Sequence, residues 1–109
     1  MAISLFYVPC ADDAIAGQLV ETLLAEKLIA CGNTIRSTSY FFWDNAQQCE
    51  DEEIAILKTS PENKEAVMNR VEALVGYEMP CILTFLAEAN PAYEAWVRSQ
   101  VEHPQLPKK

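Results

Sequence analysis

Four cysteines, one histidine and a run of four acids are the residues of this chain best equipped for chemistry. Cys10, Cys31, Cys49 and Cys81 are 21, 18 and 32 residues apart, and the single histidine is His103, near the C-terminus. No CxxC pair occurs, so a zinc finger or any other self-contained metal motif is excluded. The even number permits two disulfides, but in a chain without a signal peptide reduced thiols are expected. Each cysteine then defaults to a small buried hydrophobe. Cys10 as a nucleophile would need a neighbouring base, and the lone His103 sits in the tail. An acid could take that role, but no pairing is legible. The acids Glu50-Asp51-Glu52-Glu53 alternate faces if they lie on a strand, which leaves at most two on a side. Such a pair binds a hard cation weakly. The commoner use of an acidic run is a solvated edge that resists aggregation.

The bulk numbers narrow the partners. The chain has 109 residues, half of them apolar, with 8 basic and 16 acidic side chains and a net charge of −8. That is enough for one domain with a real core, expected over residues 1–103 with a flexible tail over 104–109. Residues 1–55 hold nine acids against Lys27 and Arg36, whereas the rest is nearly balanced. Without a basic stripe, neither nucleic acid nor an anionic membrane is an expected partner, and cations or basic partners are. Met1–Cys10 is apolar but lacks a basic leader segment, and two aspartates follow nearby. The apolar run Cys81–Leu86 is far too short to span a bilayer. A cytoplasmic location is expected.

The elements that must position these residues are legible in order. Ile3–Val8 is a β-prone run that Pro9 is expected to end. Asp12 or Asp13 caps a helix whose stripe, Ile15, Leu19 and Leu23 with Leu28, predicts helix to about Ile29. Asn33–Trp43 is rich in β-branched and aromatic residues, Asp44-Asn45 is a turn pair, and Gln47–Lys58 resumes as strand. Ser60-Pro61-Glu62 opens a second helix, with Val67, Met68, Val71 and Leu74 as its apolar face and Gly76 as its stop. Pro80–Ala87 reads as a fourth strand. Asn90-Pro91 starts a short last helix with Tyr93, Trp96, Val97 and Val101 on one face. The order β-α-β-β-α-β-α is α+β. It predicts a ferredoxin-like antiparallel sheet with helices on one face.

The central hairpin stands out. Its arms run to roughly a dozen residues, against a typical strand of about 5–6. The first and last strands are too short to pair with all of it. The excess carries Tyr40, Phe41, Phe42 and Trp43, and four exposed aromatics beside free strand edges are an aggregation hazard. Pairing hairpins between copies of the chain solves this. The alternative is that the aromatics fold back onto the subunit's own helices.

Several local signatures then coincide. They are Leu24-Ala25-Glu26-Lys27-Leu28-Ile29-Ala30-Cys31 and Asn33, then Ser39-Tyr40 and Trp43 just before a turn, then Glu53 opening a run to Leu57-Lys58-Thr59. Tyr77, Pro80 and Asn90-Pro91-Ala92-Tyr93 with Trp96 complete the set. In this order they resemble the CutA divalent-cation-tolerance family from about Ile3 to Val101. The resemblance implies a ferredoxin-like subunit in a PII-like homotrimer. It also implies a non-enzymatic role in tolerance of, or response to, copper and other divalent cations, by weak metal binding or through a protein partner. A metal site proposed for bacterial members uses a cysteine after the first strand, a histidine before the Tyr-x-x-Pro segment and a glutamate just after it. Here Cys10 matches the cysteine, Val75-Gly76 replaces the histidine-proline pair and Cys81 replaces the glutamate. Asn45 stands where the family has a turn glycine. Cys10 and Cys81, at the ends of adjacent strands, would supply two soft thiolates suited to Cu(I), and they are the expected metal ligands. The plainer alternative is two buried thiols without metal. A further alternative is a PII-like sensor that binds a small molecule in clefts between subunits. No phosphate-cradling glycine loop supports it, since only Gly17, Gly32 and Gly76 are present.

Overall fold

A two-residue turn sets the shape of the chain. Asp44 and Asn45 both have positive φ, 50° and 60°, and Trp43 pairs directly with Ala46. This is the geometry of a tight hairpin turn whose twist matches that of the strands it joins. It holds together two long arms, β2 (Cys31–Trp43) and β3 (Ala46–Thr59). The computed structural model describes residues 2–102. The tail expected over 104–109 and His103 lie outside the described residues.

The sheet contains β1 (Ala2–Cys10), β2, β3 and β4 (Leu83–Glu88) in the order β2-β3-β1-β4, every pair antiparallel. This is the expected ferredoxin-like arrangement. Register places Phe6 beside Leu57, Val8 beside Ala55 and Cys10 beside Glu53. Those side chains share one face, because strand side chains alternate. On that face Phe6, Val8, Cys10, Ala55 and Leu57 pack against Ala16, Leu19 and Leu23 of α1 (Asp13–Ala25). The same core takes Val67 and Val71 of α2 (Lys64–Leu74), with Val75 beyond its end. α3 (Pro91–Gln100) touches β1 and β3 and brings the Tyr93 ring over the Lys58 ammonium.

Some boundaries differ from the expectations. Pro9 does not end β1, which runs to Cys10. The last β1–β4 pair is Tyr7↔Leu83, so at Pro9 the strand has a neighbour only on the β3 side. A missing N–H is tolerated at such an edge. α1 ends at Ala25 rather than near Ile29. Lys27 adopts φ 58°, its N–H donates to Leu24 O and the Leu28 N–H donates to Leu23 O, both at 3.0 Å. This pattern closes a helix through a left-handed residue and packs the following apolar side chain back on the last turn. Leu28 and Ile29 therefore belong to the core but not to the helix. β4 begins at Leu83, not Pro80, which leaves Cys81 in the segment before it. On α3, Val97 is buried but Trp96 is 43 % exposed. Buried Glu94 takes a place on the inner side, held by Arg98.

Two close approaches tie the helices down. Gly32 lies beneath Val20, where a Cβ would come within 2.7 Å of Val20 Cγ1. Thr59 Oγ1 donates to Leu28 O at 2.6 Å and Asn63 Nδ2 to the same oxygen at 3.3 Å, joining the exit of α1 to the entry of α2.

Candidate functional site

The hairpin outruns the rest of the sheet. The last β1–β3 pair is Cys10↔Glu53, so residues 46–52 of β3 have β2 on one side and, among the described residues, no strand on the other. Among the described residues no strand lies along the outer edge of β2. Tyr40 is 78 % exposed and Phe42 72 %, with Phe41 and Trp43 about half exposed. The aromatics do not fold back onto the subunit's own helices.

The bare edge of β3 is met by the segment leaving α2. Gly76, at φ 87°, turns the chain after the helix; a left-handed residue is cheap there only for glycine. The next residue, Tyr77, then reaches the end of β1. Its hydroxyl donates to Glu52 Oε2 at 2.7 Å, while Ser39 Oγ, on β2, donates to Glu52 Oε1 at 2.5 Å. Burial, followed by the Glu52 hydrogen bond and charge, raises the phenol above its ordinary range. Both effects penalise the phenolate, so Tyr77 stays protonated as a donor. Thr38 with Asp51 and Arg36 with Glu53 occupy the opposite face of the same strands. The acidic run is thus divided two and two, as alternation requires.

Above the Ser39–Glu52–Tyr77 bridge lies a cleft of about 620 Å³. The hairpin aromatics, Glu50, Glu52, Tyr77, Glu78 and Cys81 all contribute to its walls. A smaller cavity of about 250 Å³ lies between α1 and α2 among Ile15, Gln18, Leu19, Thr22, Ala73 and Leu74. It presents no charged side chain, so the hairpin cleft is the better candidate site.

Cys10 is fully buried at the end of β1, and its Sγ donates to Val8 O at 3.6 Å. Burial pushes the thiol up to about 11, with the charges of Glu52, Asp12 and Glu53 adding to the effect. A neutral buried thiol is a poor nucleophile at neutral pH. Cys81 is exposed and lines the cleft. Among the described residues no group of three or more His, Cys, Asp or Glu is placed to hold a metal ion. None of the four cysteines is in a disulfide. Sequence reasoning missed Glu52 and Ser39 as partners of Tyr77. The available signal was a helix-stop glycine followed at once by an amphipathic tyrosine. No helix among the described residues is long and apolar enough to cross a membrane.

Comparison with known proteins adds a consistent picture. A family model described as CutA1 divalent ion tolerance protein matches residues 4–100. The divalent-cation tolerance protein CutA of Pyrococcus horikoshii is 33 % identical over 93 residues, covering 84 % of this chain and 90 % of that protein. The crystal structure of the divalent ion tolerance protein CutA1 from Ehrlichia chaffeensis superposes with a TM-score of 0.84 at 32 % identity, covering 87 % and 91 % of the two chains. A structure from Archaeoglobus fulgidus, described as a periplasmic divalent cation tolerance protein CutA, gives a TM-score of 0.88 at 28 % identity, covering 92 % and 99 %.

Proposed function

This chain belongs to the CutA1 divalent ion tolerance family, and from that premise we propose that it works as a non-enzymatic homotrimer that responds to divalent cations, copper among them, by binding them weakly. The observation that carries the assembly is the free hairpin, with β2 bare along its outer edge and residues 46–52 of β3 bare on one side. An exposed edge of that length with apolar side chains is a template for another strand. The sheet's two free edges, β2 and β4, are different surfaces. A contact between unlike surfaces is head-to-tail and closes as a ring when its rotation permits. The far face of the sheet also exposes Ile35, Leu83 and Phe85, each about half, and a shared interior would cover them. Light scattering at micromolar concentration tests the assembly. Three chain masses are expected, and a monomer overturns it.

For the metal, the ligands proposed are Cys10 and Cys81, two soft donors that suit Cu(I). A bound cation would itself offset the burial and acidic charge that now hold the Cys10 proton. Titrating Cu(I) into wild type, Cys10→Ser and Cys81→Ser should give the tightest binding in wild type, and equal affinity in all three refutes this site. The cytoplasm is the proposed location, since four unpaired cysteines suit a reducing compartment; recovery with periplasmic markers on fractionation would refute it. A second reading, a small-molecule sensor, is favoured by the volume of the hairpin cleft, which lies in the usual range for such sites.

A further inference from the structure

We propose that Cys31 and Lys58 are a covalent redox pair: a hydroperoxide oxidises the Cys31 thiol, and the Lys58 amine captures the product as a sulfenamide, a reversible S–N bridge across the first rung of the hairpin.

The two residues are 27 apart in the chain and direct partners in the β2–β3 register, so their side chains leave one face of the sheet side by side. The Lys58 ammonium donates to Cys31 Sγ at 4.0 Å. Among the described residues Cys31 is the one cysteine whose sulfur meets an amine, whereas Cys10 is sealed in the core and donates to Val8 O. The backbone pins the pair from both sides. The Ala30 N–H donates to Lys58 O at 2.9 Å, and Thr59 Oγ1 donates to Leu28 O at 2.6 Å. The Tyr93 ring, with its centroid 5.8 Å from Nζ, attracts the amine and keeps it at the sheet. No carboxylate pairs with Lys58 among the described residues, so no acid draws the amine away from the sulfur. Both side chains are half-buried within their own chain, at the end of the hairpin opposite its aromatic tip. The bond forms inside one chain and needs no open cleft between copies.

The balance closes with hydrogen peroxide as the oxidant. The Cys31 thiolate attacks one peroxide oxygen; an S–O bond forms, the O–O bond breaks, and hydroxide leaves to take up the thiol proton as water. Sulfur loses two electrons and peroxide gains them, which gives a sulfenic acid. Lys58, as the free amine, then attacks that sulfur. The S–N bond forms, the S–O bond breaks, and the hydroxyl leaves with an amine proton as a second water. Sulfenic acids are captured by backbone nitrogen in the same way. Here Nζ is closer to hand: from 4.0 Å, a movement of roughly 0.5–1 Å at the end of a flexible stem reaches attacking distance. Two equivalents of a small thiol reverse the step, the first displacing the amine and the second releasing Cys31 with a disulfide as the by-product. The bridge stops oxidation short of the irreversible sulfinic acid and staples the start of β2 to the end of β3.

The test is peptide mass spectrometry of the full-length, assembled protein after peroxide treatment and alkylation of the remaining thiols. Wild type should yield a peptide pair joining Cys31 to Lys58, lighter than the two free peptides by two hydrogen atoms, uncut by trypsin at Lys58 and lost on treatment with dithiothreitol. Lys58→Arg keeps the positive charge without a free amine. Its Cys31 should trap dimedone, a reagent for sulfenic acids, several-fold more than wild type and go on to sulfinic acid. Cys31→Ser should give no bridge. In urea the wild-type bridge should fall about tenfold, since register no longer holds the groups together. Loss of two hydrogens that persists in Lys58→Arg overturns the proposal, because a backbone nitrogen would then be the captor. So does a wild-type Cys31 that stays reduced or passes to sulfinic acid without a bridge, a readout that depends on no variant. A bridge that retains an oxygen atom refutes the S–N bond, and equal bridging in urea refutes the role of the fold. Copper affinity and assembly mass are measured separately, so this inference stands or falls apart from the metal reading.

Discussion

Removing one oxygen atom tests the bridge between hairpin and helix segment. Tyr77→Phe deletes the hydroxyl that donates to Glu52 Oε2 at 2.7 Å and leaves the ring in place. A hydrogen bond to a charged group contributes about 1.5–3 kcal/mol net. Glu52 is half-buried and keeps its Ser39 donor, so the coupling should fall at or below the low end of that range, about 1–2 kcal/mol. The single variant alone would confuse lost hydrogen bonding with altered packing. A cycle of Tyr77→Phe, Glu52→Gln and the double variant isolates the pair. Urea unfolding at pH 7 and fixed protein concentration gives the four stabilities. Near 2.1 cal/mol/K per residue, that coupling corresponds to a Tm shift of roughly 4–9 °C for a chain of this length. The pH dependence supplies a second readout. Tyr77 is harder to ionise in the fold than its ordinary value of 10, first through burial and then through Glu52. A raised value means that its contribution is fully present below pH 10 and is lost as pH climbs toward the folded value. Wild type should therefore lose stability above pH 10 more steeply than Tyr77→Phe. A coupling within about 0.3 kcal/mol of zero, or parallel alkaline profiles, would refute the bridge.

Three further outcomes are expected. Gly32→Ala would drive a methyl group into Val20, whose Cγ1 and Cγ2 lie 2.7 and 2.9 Å from the Cβ position; a β-branched helix residue has little χ1 freedom to yield, so a loss of about 1–3 kcal/mol in urea is expected, and a change below 0.5 kcal/mol would contradict the packing. Lys27→Gly removes the left-handed strain at φ 58° and should stabilise by up to about 1 kcal/mol, net of glycine's greater unfolded-state entropy; a destabilised variant would count against the capping role. Iodoacetamide followed by mass spectrometry should label exposed Cys49 and Cys81 well before buried Cys10 at pH 8. The rate at Cys10 should keep rising toward its raised value of about 11, and a plateau below pH 9 would show that the thiol is not held neutral.

Much of the framework was legible because its determinants are local. A cap acts over three residues, as when Asp12 accepts from the Ile15 N–H at 2.9 Å. The Asp44-Asn45 turn tolerates positive φ, and the alternation of 31–43 and 46–59 is a property of neighbouring residues. Sequence alone therefore determined the element order, the ferredoxin-like class, the long hairpin and its exposed aromatics. The misplaced boundaries share one cause. Leu28 and Ile29 are apolar whether they lie in a helix or just beyond one, and periodicity cannot separate the two. The left-handed turn at Lys27 is chosen because it returns Leu28 to the core. Likewise, 80–82 looks like strand until register shows that β1 pairs with β4 no further than Leu83.

The site belongs to the tertiary structure. Glu52 and Tyr77 are 25 residues apart, and nothing in either segment names the other. They meet because β3 outruns β1 by seven residues and because Gly76 turns the chain toward the edge left bare. The same geometry gives two cysteines that look alike in sequence opposite environments, Cys10 sealed under α1 and α2 and Cys81 open in the cleft. Residue chemistry is written in the chain, but environment is set by strand register and by where a helix ends, and those are settled only when the whole sheet is packed.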